Sequence, residues 1–130
     1  MKHEDIATHP SPYSGEYGGA IRIDVADFTH LAGQADPWFA NVQIEYVPRE
    51  KTLDADSVAV YMAGWRDTNS TPEEAVKKIC EELSQACVPM MMTVVAGYRS
   101  RAGASVNCQA KYIHPDAKQP QQRIMTPGHA

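Results

Sequence analysis

Nowhere in this 130-residue chain does an apolar run approach the roughly 18 residues that a membrane-spanning helix needs, so no helical span and no membrane partner are expected. Charge of one sign is never gathered into a block: 12 Lys and Arg stand scattered against 16 Asp and Glu, a net charge of −4. That distribution argues against a nucleic-acid partner. Cysteine is scarce and unpaired in pattern. The three present, Cys80, Cys87 and Cys108, form no CxxC and no Cys/His zinc spacing, so no metal site is expected. The opening residues, Met1-Lys2-His3-Glu4-Asp5, lack an apolar stretch, which speaks against a signal peptide and makes a cytoplasmic location the default expectation.

What is there suits one globular domain. Hydrophobic residues make up 43% and charged residues 22%, ordinary values for a chain of this length. Residues 1–19 have prolines, glycines and no period, and read as an irregular arm that can pack as an edge. The domain proper is expected over residues 20–113. Residues 114–130, rich in proline, glutamine and charge, are expected to form a poorly ordered tail.

Inside the domain, alternation of period two marks strands. Ile21, Ile23 and Val25 point one way over residues 20–26, and Ala40, Val42, Ile44 and Tyr46 do so over residues 39–47, where Pro48 stops the run. Val58, Val60 and Met62 suggest a third strand over residues 57–65, pairing antiparallel with the second. A helix follows. Thr71 as N-cap, Pro72 at the first helical position and Glu74 three residues past the cap form a capping box. Ala75, Val76, Ile79, Cys80, Leu83, Ala86 and Cys87 then make one apolar stripe that ends before Pro89. Residues 90–99 and 104–113 read as two further strands about a turn at Ala102-Gly103. The order β, β, β, α, β, β predicts an α+β fold, an antiparallel sheet with a helix on one face. Cys80 and Cys87, about 10 Å apart on one helix, are too distant for a disulfide, and all three cysteines are expected to be reduced, small apolar fillers.

Three places are candidates for chemistry. Glu73 lies about 20° from Cys80 on the helical wheel, at the margin of the apolar stripe. It is either an ordinary first-turn acid favoured by the helix dipole, or a ligand anchor whose carboxylate accepts two N–H groups from a purine or pterin edge. The segment from Phe28 to Trp38 reads as a long loop carrying Thr29, His30, Gln34 and Asp36, either functional or a plain turn. The last candidate is Arg99-Ser100-Arg101, whose guanidinium groups either meet a phosphate or are simply solvated.

The blocks DFTHL, DPWFANVQIEYVPRE, YMAGWRDTNSTPEEAVKKI and VVAGYRSRAGA, spread over residues 20–105, resemble those of the QueF family. The resemblance implies the tunnelling fold, or T-fold, in which sheets of several subunits close a barrel with base-binding sites between subunits. It implies a homo-oligomer acting on a small purine-like base. The family reduces 7-cyano-7-deazaguanine to a primary amine with NADPH in queuosine biosynthesis. Its His-Glu substrate pair falls on Pro72-Glu73, which keeps the glutamate and loses the histidine. Its Val-Glu-Ser substrate segment falls on Leu53, Asp54 and Ala55. Its cofactor-associated Lys-Ser-Leu-Lys falls on Asp56, Ser57, Val58 and Ala59, keeping only the serine, while Arg101 matches the arginine of the family's Pro-Arg-Gly-Gly turn. The thioimide-forming cysteine falls on Leu31 or Ala32, and the proton-donating aspartate has Asp36 as its shifted counterpart. An aliphatic side chain offers no nucleophile. The expectation is therefore a base-binding QueF-like protein with Glu73 as anchor and Asp36 available for proton transfer. The alternatives are a non-catalytic binding or assembly homologue, an amidinotransferase-like relative using the same nitrile, and an unrelated α+β scaffold whose acids are only caps and turns.

Overall fold

The strict alternation of residues 40–46 becomes the centre of the sheet: Ala40, Val42, Ile44 and Tyr46 are buried while Asn41, Gln43 and Glu45 face out. The computed structural model describes residues 5–13 and 17–117. In chain order the elements are β1 (Thr8–Pro10), β2 (Ile21–Ala32), β3 (Ala35–Val47), β4 (Lys51–Leu53), α1 (Ala55–Ala63), α2 (Pro72–Cys87), β5 (Met91–Tyr98) and β6 (Asn107–Ile113). Four strands form an antiparallel sheet in the order β2-β3-β5-β6, with Val42 opposite Ala96, Ile44 opposite Val94 and Tyr46 opposite Met92. Both helices cover the same face, α2 against β5 and β6 and α1 against β2, and one continuous apolar core lies between. The α+β antiparallel architecture is as expected. The strands β2 and β6 are left as the two sheet edges.

Helix α2 begins where its capping sequence says it should. The Thr71 hydroxyl accepts from the Glu74 N–H at 3.2 Å and the Glu74 carboxylate accepts from the Thr71 N–H, so two otherwise orphaned donors are satisfied. Val88 closes it in a left-handed conformation before Pro89. The thiols of Cys80 and Cys87 are free and buried on its inner face, where burial pushes them up to about 11 and about 12.

Two expectations fail. Residues 57–65 are not a third strand: α1 is followed by a 3-10 turn over Gly64–Asp67, and nothing there pairs with β3. Val58, Tyr61, Met62 and Trp65 recur at helical spacing and are buried, whereas Val60, which the alternation required to point inward, is 59% exposed. Asp54 starts this helix by accepting from the Ser57 N–H at 2.9 Å. Nor is the segment from Phe28 to Trp38 a long loop. It is a hairpin in which Ala32 pairs with Ala35 across the two residues Gly33 and Gln34, the glycine taking φ +67°. A bulge at Asp27, φ +57°, shifts the inward phase from Ile21, Ile23 and Val25 to Phe28 and His30, and so breaks the sequence alternation.

The arm is tied down where it is described. Thr8–Pro10 pairs with Lys51–Leu53, Ile6 enters the core, and Asp54 donates its N–H to the Ala7 carbonyl at 2.9 Å. Residues 1–4 and 14–16 of the arm and residues 118–130 of the expected tail lie outside the described residues; before the latter, Pro115–Ala117 forms a 3-10 turn with Ala117 buried.

One polar side chain is locked into this core. His30 is fully buried, with Nε2 2.8 Å from the Tyr98 hydroxyl and Nδ1 3.2 Å from the Leu31 carbonyl. A carbonyl only accepts, so Nδ1 carries the proton and Nε2 accepts from Tyr98. Phe28, Trp65 and Tyr98 surround the ring with centroids 5.5–6.2 Å away. Burial holds the imidazole below its ordinary pKa, and Arg101 adds to the effect.

Loss of the Thr71 cap through Thr71→Ala is expected to cost about 1 kcal/mol, measured by urea unfolding. Below pH of about 6.5 the unfolded chain binds a proton at this histidine that the folded chain refuses, so stability falls as the pH falls. The urea midpoint of the wild type should therefore drop between about pH 7.5 and pH 5.5. His30→Phe should unfold at lower urea, because Tyr98 and Leu31 lose their partner, and should show a flatter pH profile over that window.

Candidate functional site

The N-terminus of α2 is held against the end of β2 by backbone groups. Leu31 donates its N–H to the Thr68 carbonyl at 2.9 Å and accepts from the Ser70 N–H at 3.1 Å, while the Gly33 N–H donates to Asn69 Oδ1 at 2.7 Å. This stitching sets residues 69–73 beside residues 32 and 33. Across from them stand Trp38, from β3, and Val106, just before β6, and together they line an open, shallow cavity of about 580 Å³. Pro72 is buried in its wall and Glu73, in the first turn of α2, is exposed at it. Ala32, one of the two positions expected to correspond to the family's cysteine, is also in that wall.

Glu73 and Glu74 bring negative charge to the cavity. The Glu73 charge lies close enough to Cys108, half-buried on β6, and to Tyr98 to add to burial in raising both groups. None of the three cysteines lines the cavity. Among the described residues no group of three or more His, Cys, Asp or Glu side chains could hold a metal ion, and no helix is long and apolar enough to cross a membrane.

Arg101 sits beside the cavity rather than in it. Its Nη2 donates to the carbonyl oxygens of Asp36 and, at 2.8 Å, of Pro37, and its Cζ lies 3.8 Å from the centroid of the Trp38 ring. Asp36 thus contributes a backbone oxygen to this contact, and its side chain is exposed and does not line the cavity. Arg99 pairs with Asp27 at 3.0 Å and lies over Phe39.

The remaining candidates form a separate group. Leu53 is buried and donates its N–H to the Tyr46 hydroxyl at 2.8 Å. Asp54 caps α1 and pairs with His9 at 2.7 Å, and His9 first, then the Ser57 N–H, hold its carboxyl below the usual range. Ser57 Oγ accepts from the Ala7 N–H at 2.8 Å. Ala55 lines a second groove, about 450 Å³, between α1 and residues 23–29 of β2, and this groove shares no lining residue with the first. Within one chain the structure joins Pro72 and Glu73 to Ala32 and does not bring Leu53, Asp54, Ala55 or Ser57 to them.

Sequence reasoning missed Trp38, Asn69 and Val106. Trp38 carried a signal, an aromatic residue inside the DPWFANV block, but nothing local distinguishes Asn69 or Val106.

The sequence profile of the family described as QueF-like protein matches residues 37–117. The chain is 31% identical over 119 residues to an NADPH-dependent 7-cyano-7-deazaguanine reductase from Thioalkalivibrio sulfidiphilus, covering 90% of this chain and 91% of that one. It is 30% identical to the reductase of the same name from Nitrosococcus oceani, covering 87% and 88%. Among solved structures, the apo form of the archaeosine synthase QueF-Like superposes with a TM-score of 0.67 at 18% identity, covering 78% of this chain and 96% of that one, a likeness of fold. On the profile match and these two relatives, this chain belongs to the QueF family.

Proposed function

We propose that this protein binds a 7-deazaguanine, or a related purine or pterin base, in the cavity at the start of α2, and that it does so without forming a covalent thioimide. The observation that carries this reading is the pairing, across one cavity, of the Glu73 carboxylate with an aliphatic Ala32. A carboxylate at that place accepts two N–H groups from the guanidine-like edge of a base, each a charge-assisted hydrogen bond. The cavity is large enough to admit a base, and ligand sites combine apolar walls with a few placed polar groups.

Covalent capture of a nitrile needs a thiolate aimed at the nitrile carbon. Ala32 and Leu31 have none, and Cys108, which does not line the cavity, is raised by burial and by the Glu73 carboxylate. Reduction by NADPH, the activity named for the relatives, lacks its first step on this reading. The Asp36 carboxylate is exposed outside the cavity of its own chain, so this reading gives it no proton-transfer role there. The group Leu53, Asp54, Ala55 and Ser57 reaches the cavity from a neighbouring copy when the free edges β2 and β6 of successive subunits pair. The working unit is then a homo-oligomer with sites between subunits.

Titration calorimetry with 7-cyano-7-deazaguanine should give a saturable heat, weakened roughly 10- to 150-fold by Glu73→Gln, the span expected for hydrogen bonds to a charged group. Intact mass after incubation with the nitrile should be unchanged, and NADPH absorbance should stay constant. An adduct on any cysteine, or steady NADPH consumption, would instead make the protein a reductase.

A further inference from the structure

Trp38 is placed with more care than a wall residue needs. Four contacts converge on its ring and the peptide that carries it. The Arg101 guanidinium covers the indole at 3.8 Å, and through Nη2 it also holds the carbonyls of Asp36 and Pro37, the two residues that lead into Trp38. Tyr98 meets the indole at 5.5 Å and 85°, while its hydroxyl is committed to the buried His30. Across the hairpin, His30 is also the residue paired with Trp38 in the ladder. Arg101 itself is aimed by a tight turn: it exchanges two backbone hydrogen bonds with Ala104, and Ala102 and Gly103 take φ +50° and +85°.

Trp38 lines the cavity together with Glu73 and Ala32, and Arg101 does not. Its side chain is half-buried, with the guanidinium over the ring and Tyr98 edge-on to it. An aromatic plane fixed in this way, opposite a carboxylate, suits a flat heterocycle that carries N–H donors on one edge. Fixing the ring in advance removes the ordering cost that a mobile tryptophan would add on binding.

We infer that Trp38 is the stacking platform for the bound base and that Arg101 is its positioning residue, a cation laid over the indole that fixes the ring through the two preceding carbonyls. This rests on the reading that the cavity binds a planar base, and it names the second half of the recognition: Glu73 reads the edge and Trp38 holds the face. Stacking of a base on an aromatic ring tolerates differences between bases, so selectivity falls to Glu73. The guanidinium acts on the ring and touches no ligand.

The probe is 7-cyano-7-deazaguanine, titrated into a Trp65→Phe background so that Trp38 alone reports by fluorescence. Binding should quench its emission. Measured by titration calorimetry, Trp38→Leu should weaken the probe roughly 5- to 150-fold, while Trp38→Phe, which keeps an aromatic face, should stay within a few-fold of the parent. Arg101→Lys keeps the charge and loses the planar fork; it should shift the Trp38 emission of the free protein and weaken binding several-fold, with the urea midpoint nearly unchanged. Equal affinities for the Leu and Phe variants, with binding still lost in Glu73→Gln, would overturn the platform and leave the base reading intact. Parental emission and affinity in Arg101→Lys would overturn the positioning role. A parent protein that gives neither heat nor quenching would overturn the base reading and this inference with it.

Discussion

Leu31 gives both of its backbone groups to one loop, and the rest of the site depends on that. Its N–H goes to Thr68 and its carbonyl accepts from Ser70, so the last turn before α2 is fastened to the far end of β2. The Leu31 carbonyl also receives the buried His30 imidazole. Each of these groups would be costly to bury unpaired, so together they leave the segment one stable arrangement. With it, the N-terminus of α2 is set against Ala32 and Gly33, and a cavity exists where two elements distant in sequence would otherwise part.

From that constraint follows a division of labour in charge. Glu73 stands at the helix start that lines the cavity, while burial raises all three thiols, and at Cys108 the Glu73 charge adds to it. The arginines are engaged elsewhere, Arg99 with Asp27 and Arg101 with two main-chain carbonyls and an indole. The cavity is lined by the Glu73 and Glu74 carboxylates, by Asn69, Ser70 and Thr71, and by the apolar surface of Trp38, Pro72 and Val106.

The chain belongs to the QueF family, and within one chain the candidate residues fall into two separate groups. The stretch Leu53 to Ser57 is occupied with its own local tasks, capping α1, fastening the N-terminal arm and donating the Leu53 N–H to the Tyr46 hydroxyl. Its distance from Glu73 within one chain is a consequence of topology: β4 and the start of α1 attach beyond the β3 end of the sheet, whereas Glu73 follows a connection that returns to the tip of the β2–β3 hairpin.

Sequence alone determined the elements whose signals are local and uncontested. The Thr71-Pro72-Glu74 cap starts α2, the unbroken alternation of residues 40–46 makes β3, and the turn at Ala102-Gly103 separates β5 from β6. It also singled out Glu73, because a wheel needs only the spacing of seven residues to Cys80. The failures occurred where two periods compete or a period breaks. Val58, Val60 and Met62 alternate like a strand, yet Val58, Tyr61, Met62 and Trp65 also make a helical stripe, and only packing against β2 chose between them. The bulge at Asp27 hid half of β2 in the same way. The cavity itself belongs to tertiary structure: Ala32, Trp38, Asn69, Glu73 and Val106 meet through strand pairing and one loop's hydrogen bonds, and no pattern within a short window encodes contacts closed over such separations.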